Sequence, residues 1–379
     1  MSKKVYQVIV NVLNTNENFV GAPLYLVGTF NNWSARHLPI GEIPAVGERM
    51  HFLLPAVEAG DLELKLSRGD YRTLTANQDG KLEDPQIFKI QKDTEVTLTI
   101  ENWRDLYPAS TASPQVHVLD EHFFFPELDV FRKVSIYLPE DYAGSEQRYP
   151  VLYMHDGQHL FDEATSLGRS GPVEWKVDET IDSSGSSVIV VAIDHATDYE
   201  VRQQEYLVNS GKGTPDPKGW KYLHDIVHTL KPHVDLKYRT LAGVQHTAML
   251  GSSLGGLLTL YAGLAYPQVF GTAAIFSPSI WMDEENLYRY AAEKLGMGVD
   301  RKEQEFYFYI GDRERRFRMM DAKNNMRLDM DRFYTWFAEH FSGKLTLDVN
   351  PEGKHGAQFW QAAFQQFYAH WIGTINSSN

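Results

Sequence analysis

The 379-residue chain has no cysteine. Disulfides, thiolate metal sites and cysteine nucleophiles are therefore excluded. Positive charge is also scarce. Lys and Arg total 36 against 50 Asp and Glu, a formal net charge of −14. That balance argues against nucleic acid or an anionic membrane surface as a partner. No apolar run approaches the length of a membrane span. Neither a P-loop nor a G-x-G-x-x-G dinucleotide pattern occurs. Histidine pairs exist at His155/His159 and His224/His228, but two ligands without a third are ordinary side chains, so neither a metal nor a cofactor is expected. The N-terminal apolar patch is short and broken by Asn11, Asn14 and Asn16, with no small-residue cleavage site after it. It reads as a strand rather than a signal peptide, and a cytoplasmic location is the expectation.

What is present is a folded globular composition: 43% hydrophobic, 13% aromatic. The length allows two domains. Up to residue 103, apolar and polar residues alternate with period two between turn residues. The runs are VYQVIV (5–10), LYLVG (24–28), LELKL (62–66) and VTLTI (96–100). Short strands at this spacing predict an antiparallel, immunoglobulin-like β-sandwich over 1–103. Residues 104–115, RDLYPASTASPQ, lack periodicity and read as a linker. From 116 to 379 strands alternate with helices, which implies an α/β domain with a largely parallel sheet. Strands are predicted at 130–138, 149–154, 188–193, 305–310 and 345–349. Helices are predicted at 220–234, where the Pro232 region should end the helix, and at 357–372. The mixed charges of 312–332 read as a solvated helix face placed like a lid.

The chemistry centres on residues 246–277, an apolar strand, a sharp turn and a helix from about 254 to 266. Gly251-Ser252-Ser253-Leu254-Gly255 fits the Gly-x-Ser-x-Gly nucleophile elbow. The elbow lifts the Ser253 hydroxyl above the sheet, and the strand and helix must approach closely, which calls for small residues on both sides. A serine needs an adjacent base held by a carboxylate. In α/β-hydrolase order the acid and then the histidine follow the serine. The strand at 305–310 is followed by Asp312 and Glu314, and the strand at 345–349 by His355. Either carboxylate fits, and Gly-x-x-acid spacing favours Glu314. An oxyanion hole needs two backbone amides. Leu254, after the nucleophile, supplies one, and the main chain of Gln158, in the His-Asp-Gly-Gln loop, is the candidate for the other.

The segments YPVLYMHDGQHLFD, VVAIDHATDYEVRQQEY, GSSLGGLLTLYAGLAYPQVFGTAAIFSPSIW and PEGKHGAQFW resemble the esterase D family of α/β-hydrolases, over about residues 116–375. That family includes feruloyl and acetyl-xylan esterases, enterobactin-type siderophore esterases and mycolyl transferases. The resemblance implies Ser253 as nucleophile, His355 as base, an acid in the 311–314 loop and the Gln158 amide as oxyanion donor. It further implies Arg202 and Glu205 near the active-site rim and Trp281 as an aromatic pocket wall. Farther upstream, LYLVGTFNNWS and DLELKLSRGDYRTL resemble glycogen- and starch-binding sandwich modules. That second likeness implies Trp33, Lys65 and Tyr71 as sugar contacts, stacking on apolar sugar faces. The expectation is a serine carboxylesterase acting on a small-molecule or oligosaccharide ester, such as an acetyl or feruloyl carbohydrate ester. A siderophore ester is less favoured, because the N-terminal module does not resemble that of enterobactin esterases. A catalytically idle carbohydrate-binding protein and an acyltransferase with a sugar acceptor are the rivals.

Overall fold

The computed structural model describes residues 4–31, 33–83, 85–106, 110–166, 174–210, 216–316 and 325–377. The chain divides into two compact units, one of residues 1–111 with 163–173 and one of 112–162 with 174–379. The division at 111/112 falls inside the segment read as a linker. The grouping of 163–173 with the N-terminal unit has no local signal in the sequence.

The N-terminal unit is all-β. Its strands are β1 (Val5–Asn14), β2 (Pro23–Gly28), β3 (Pro39–Glu42), β4 (Arg49–Glu58), β5 (Gly60–Ser67), β6 (Thr75–Ala76), β7 (Gln86–Ile90), β8 (Thr94–Ile100) and β9 (Asn102–Trp103). They form sheets of order β4-β1-β8 and β3-β2-β5-β7, with a short β6-β9 pair. Period-two alternation turns Val8, Val10 and Val12 of β1 inward, against Leu24, Leu26, Leu64 and Leu66 of the other sheet. One expectation is corrected: β1 runs parallel to β8, while its pairing with β4 is antiparallel. A parallel pair needs a long connection rather than a hairpin, and more than seventy residues separate these strands.

The second unit is built on an eight-stranded sheet of order β10-β11-β13-β12-β14-β15-β16-β17. The strands are β10 (Val116–Phe125), β11 (Val130–Tyr137), β12 (Val151–His155), β13 (Ile189–Ile193), β14 (Thr247–Ser252), β15 (Thr272–Phe276), β16 (Glu305–Gly311) and β17 (Lys344–Asn350). β10 and β11 are antiparallel, and the other six are mutually parallel. Strands β12 to β16 are buried at every position. That burial explains their continuous apolar runs, since helices cover both faces.

The helices are α1 (Val177–Ser184), α2 (Tyr199–Tyr206), α3 (Gly219–Asp225), α4 (Lys231–Lys237), α5 (Leu254–Ala265), α6 (Glu284–Gly296), α7 (Met326–His340) and α8 (Ala357–Ser377). One apolar core takes residues from α3, α5, α6 and α7, and the other from α1 and α8. Pro232 does not end the helix begun at 219. A π-helical turn, Ile226–Leu230, precedes it, and helix continues to Lys237. A wider turn before the proline removes the need for the hydrogen bond its missing N–H cannot make. Of the lid expected at 312–332, residues 317–324 lie outside the described residues. Among the described residues no helix is long and apolar enough to cross a membrane.

The parallel strands fix where a ligand can bind. In chain order β13 is added on one side of β12 and β14 on the other. The strand order therefore reverses at β12/β14, and the crevice beyond their C-terminal ends is the topological switch point. The Gln158 turn follows β12, and Ser253 follows β14.

Candidate active site

Ser253 sits between β14 and α5 at φ 57°, ψ −117°, a left-handed conformation that non-glycine residues rarely adopt. The bend has room for little else. A Cβ on Gly251 would lie 2.5 Å from the Gly255 carbonyl and 2.7 Å from His155 Cδ2. One on Gly256 would lie 2.7 Å from the Phe276 carbonyl oxygen, whereas Gly255 has ordinary space at 3.4 Å. The steric demand on the helix side thus falls on Gly256, one residue beyond the pentapeptide. The Ser253 amide is used by the fold, donating to the Phe276 carbonyl at 2.9 Å. Leu254 opens α5, so its amide has no intrahelical acceptor and points with the positive end of the helix dipole.

His355 lies between the other two groups. Its Nε2 is 3.0 Å from Ser253 Oγ, and its Nδ1 is 2.7 Å from Glu314 Oε2. Glu314 is fully buried, with 0% exposure. Its second oxygen accepts from the Ser277 hydroxyl at 2.6 Å and the Gly311 amide at 2.9 Å. Ser277 in turn accepts from the Trp360 indole at 2.8 Å, and the Trp360 ring meets the His355 imidazole edge-on at 5.0 Å. The loops carrying acid and histidine are joined backbone to backbone. Asp312 N–H donates to the Asn350 carbonyl and Arg313 N–H to the Gly353 carbonyl, both at 2.9 Å. A Cβ on Gly311 would stand 2.4 Å from the Gly353 carbonyl carbon. Asp312 points elsewhere: it pairs with Arg327 at the surface. Of the two candidate carboxylates, only Glu314 is hydrogen-bonded to His355. Ser279 Oγ lies 3.2 Å from Ser253 Oγ, a neighbour that the sequence reading did not single out.

The other expected contacts have partners of their own. Arg202 grips Asp156 with two bonds, Nε to Oδ1 at 2.7 Å and Nη2 to Oδ2 at 2.8 Å. Glu205 pairs with Arg132 and is buried. Neither charge lies open on a rim, because a charge taken out of water needs a fixed partner. Trp281 is partly buried and packs against the main core. In the N-terminal unit Trp33 is 8% and Lys65 6% exposed, and the half-buried Tyr71 donates its hydroxyl to the Trp33 carbonyl. A sugar-stacking ring must present a face to solvent, which the buried Trp33 does not do.

Burial also governs the histidines behind the site. His155 is buried under the elbow, its two ring nitrogens without hydrogen-bond partners, and its ring packs against Tyr206 and Tyr222. Burial lowers its pKa to about 4. As pH falls below about 6.5 the unfolded chain takes up this proton first, so the stability contributed by neutral His155 is lost between about 6.5 and 4. Replacing it by a residue that does not titrate, His155→Gln, is expected to narrow the stability gap to wild type by up to about 3 kcal/mol on going from pH 7 to 4. Urea unfolding at several pH values measures this. Parallel stability curves for the two chains would contradict it.

Among the described residues Glu174, Asp178 and Glu179 form the group whose geometry could hold a cation. The His224 and His228 rings lie 4.4 Å apart, tilted at 42°, but belong to no such group among the described residues.

A mostly parallel sheet presenting serine, carboxylate and histidine from the loops after β14, β16 and β17 defines an α/β hydrolase. The sequence matches the Esterase family, described as "Putative esterase", over residues 126–370. The chain belongs to that family. It is 28% identical over 170 residues to the Bacillus subtilis protein YbbA, covering 43% of this chain and 61% of that protein. It is 27% identical over 179 residues to an endo-1,4-beta-xylanase/feruloyl esterase of Xylanibacter ruminicola, covering 45% of this chain and 22% of that one. The fold is similar to that of the enterobactin esterase FES from Shigella flexneri, at 16% identity and a TM-score of 0.54, covering 94% of this chain and 88% of that one. That coverage reaches into the N-terminal unit.

Proposed function

We propose that the protein is a serine carboxylic-ester hydrolase working through Ser253, His355 and Glu314. The observation that carries this reading is the continuous chain of hydrogen bonds from Ser253 Oγ through both His355 nitrogens to Glu314. Glu314 fixes the tautomer with Nδ1–H, which leaves Nε2 free to take the Ser253 proton as Oγ attacks the ester carbonyl. The oxyanion forms against the amides of Leu254 and Gln158. His355 then protonates the departing alcohol. Water, deprotonated by the same imidazole, cleaves the acyl-enzyme and restores Ser253.

For the substrate we favour an acetyl or feruloyl carbohydrate ester, on the strength of the feruloyl esterase relative. A siderophore ester is the second reading, favoured by the fold likeness to FES along 94% of the chain. A fluorophosphonate probe should label Ser253, and a panel of acetylated xylan, feruloylated arabinoside and enterobactin should rank the two readings. A chain that hydrolyses none of these esters and resists the probe refutes the reading.

A further inference from the structure

We infer that Arg202, Asp156 and the Gln158 side chain are positioning residues that set the second oxyanion amide. The inference rests on the oxyanion role proposed above for Gln158. The turn after β12 is tied down at four consecutive residues, each by a different physical device. Asp156 adopts φ 59°, ψ 44°, which costs about 1 kcal/mol or more for a non-glycine residue and persists only where the surroundings impose it. What imposes it is the two-bond grip of Arg202, from α2. Burial alone would push the Asp156 carboxyl up, but the Arg202 guanidinium holds it well below the usual carboxylate range.

Gly157 is held by sterics. A Cβ there would lie 2.7 Å from Asp194 Oδ1 and 2.9 Å from the Ala192 carbonyl carbon, so this turn is pressed against the end of β13. Gln158 is held by its own amide side chain. Nε2 donates to the His195 carbonyl at 3.3 Å, and Oε1 accepts from the His195 N–H at 3.1 Å. The side chain therefore pairs with the His195 backbone as a neighbouring strand would. His159 is held through its ring. His195 Nδ1–H donates to the Ala196 carbonyl at 2.5 Å, which leaves its Nε2 to accept from His159 Nε2–H at 3.2 Å.

All four ties run to the segment 192–202, the end of β13 and the start of α2. A buried ion pair contributes little net stability against an apolar alternative, so stability alone is a poor reason for placing one here. A bidentate guanidinium–carboxylate pair does supply fixed orientation. The residue it orients precedes the proposed oxyanion donor by two positions. A preorganised amide acts through its direction, and a displacement of about 1 Å can cost about 100-fold in rate.

The experiment uses the full chain and a p-nitrophenyl ester. Arg202→Lys keeps the charge and loses the fork. Gln158→Ala keeps the amide and the ion pair and loses only the side-chain tie. The expected result is a kcat reduced about 10- to 100-fold for Arg202→Lys and about 10-fold for Gln158→Ala, with KM within about threefold of wild type. Inhibition by 2,2,2-trifluoroacetophenone, which forms an oxyanion on the serine, should weaken by the same factors. Arg202→Lys could fail to fold, and Gln158→Ala then decides alone. Wild-type kcat in folded Gln158→Ala overturns the proposal. So does a raised KM with unchanged kcat, which would make these residues substrate contacts. Fluorophosphonate labelling of wild-type Ser253 tests the parent reading separately: no labelling sinks that reading, whereas a labelled serine beside unaffected variants sinks only the positioning role.

Discussion

Ser253→Ala is expected to lower kcat for ester hydrolysis by about 10^5- to 10^6-fold without unfolding the chain. The substitution removes one oxygen and leaves the bend intact. Its left-handed backbone is held by the Ser253 N–H bond to Phe276, the Ser279 N–H bond to the Ser253 carbonyl, and the glycines on either side. Alanine carries the same Cβ into the same φ, so the strain is unchanged. The His355–Glu314 pair also survives, since neither of its bonds runs through the lost hydroxyl. A residual rate about 10^3-fold over water is expected from the oxyanion amides alone. Turnover of a p-nitrophenyl ester beside a wild-type circular dichroism spectrum is the measurement. Activity within tenfold of wild type in the folded variant would place the nucleophile elsewhere. Ser279→Ala is the matched control: its hydroxyl touches Ser253 Oγ but has no histidine to take its proton.

The elbow was legible because it is a local object. Strand, glycine, serine and helix lie within a dozen residues, and the closest approach that demands Gly251, to the Gly255 carbonyl, arises within that span. The succession of strand, loop and carboxylate, then strand, loop and histidine, was legible for the same reason. What could not be read was the direction of side chains set by distant partners. Asp312 and Glu314 are two residues apart. The choice between them is made by the Gly311–Gly353 approach and by the bond from Ser277, 37 residues upstream. Arg202 carries a charge that the sequence shows, but its partner Asp156 lies 46 positions away. Resemblance suggested a place near the active-site rim, but the clamp on Asp156 is a tertiary pairing with no local signature.

The N-terminal unit shows the same limit. Alternation marked β1, β2, β5 and β8. It did not mark β3 or β7, which are short, or β4, whose run RMHFLLPAVE is interrupted by a proline. The partner of β1 across a parallel ladder is a tertiary choice with no local signature. Trp33 is another case: an aromatic in a polar turn reads as a contact residue until packing is known, and packing buries it.

Glu314→Gln is expected to reduce kcat by about 10^3- to 10^4-fold, whereas Asp312→Asn should leave it within about twofold. The argument lies in the donors around Glu314. Ser277 O–H, Gly311 N–H and His355 Nδ1–H all point at its two oxygens, and a carboxylate is acceptor-only. Glutamine carries one oxygen and one NH2. If the NH2 faces Ser277 and Gly311, donor meets donor in a fully buried site. If it faces His355, the imidazole must turn its lone pair to Nδ1, which puts the proton on Nε2. Ser253 then has no base. The first arrangement costs stability and the second costs catalysis, so kcat should be measured on the folded fraction. Asp312 has neither consequence, since its carboxylate is exposed and its partner is the Arg327 guanidinium, and an exposed pair of that kind contributes at most about 1 kcal/mol. Glu314→Asp should fall between the two, because the shorter side chain retains the charge but retreats by one methylene from His355 Nδ1. If Asp312→Asn proved the crippling substitution and Glu314→Gln the silent one, the hydrogen bond at 2.7 Å would not be the one that orients the base.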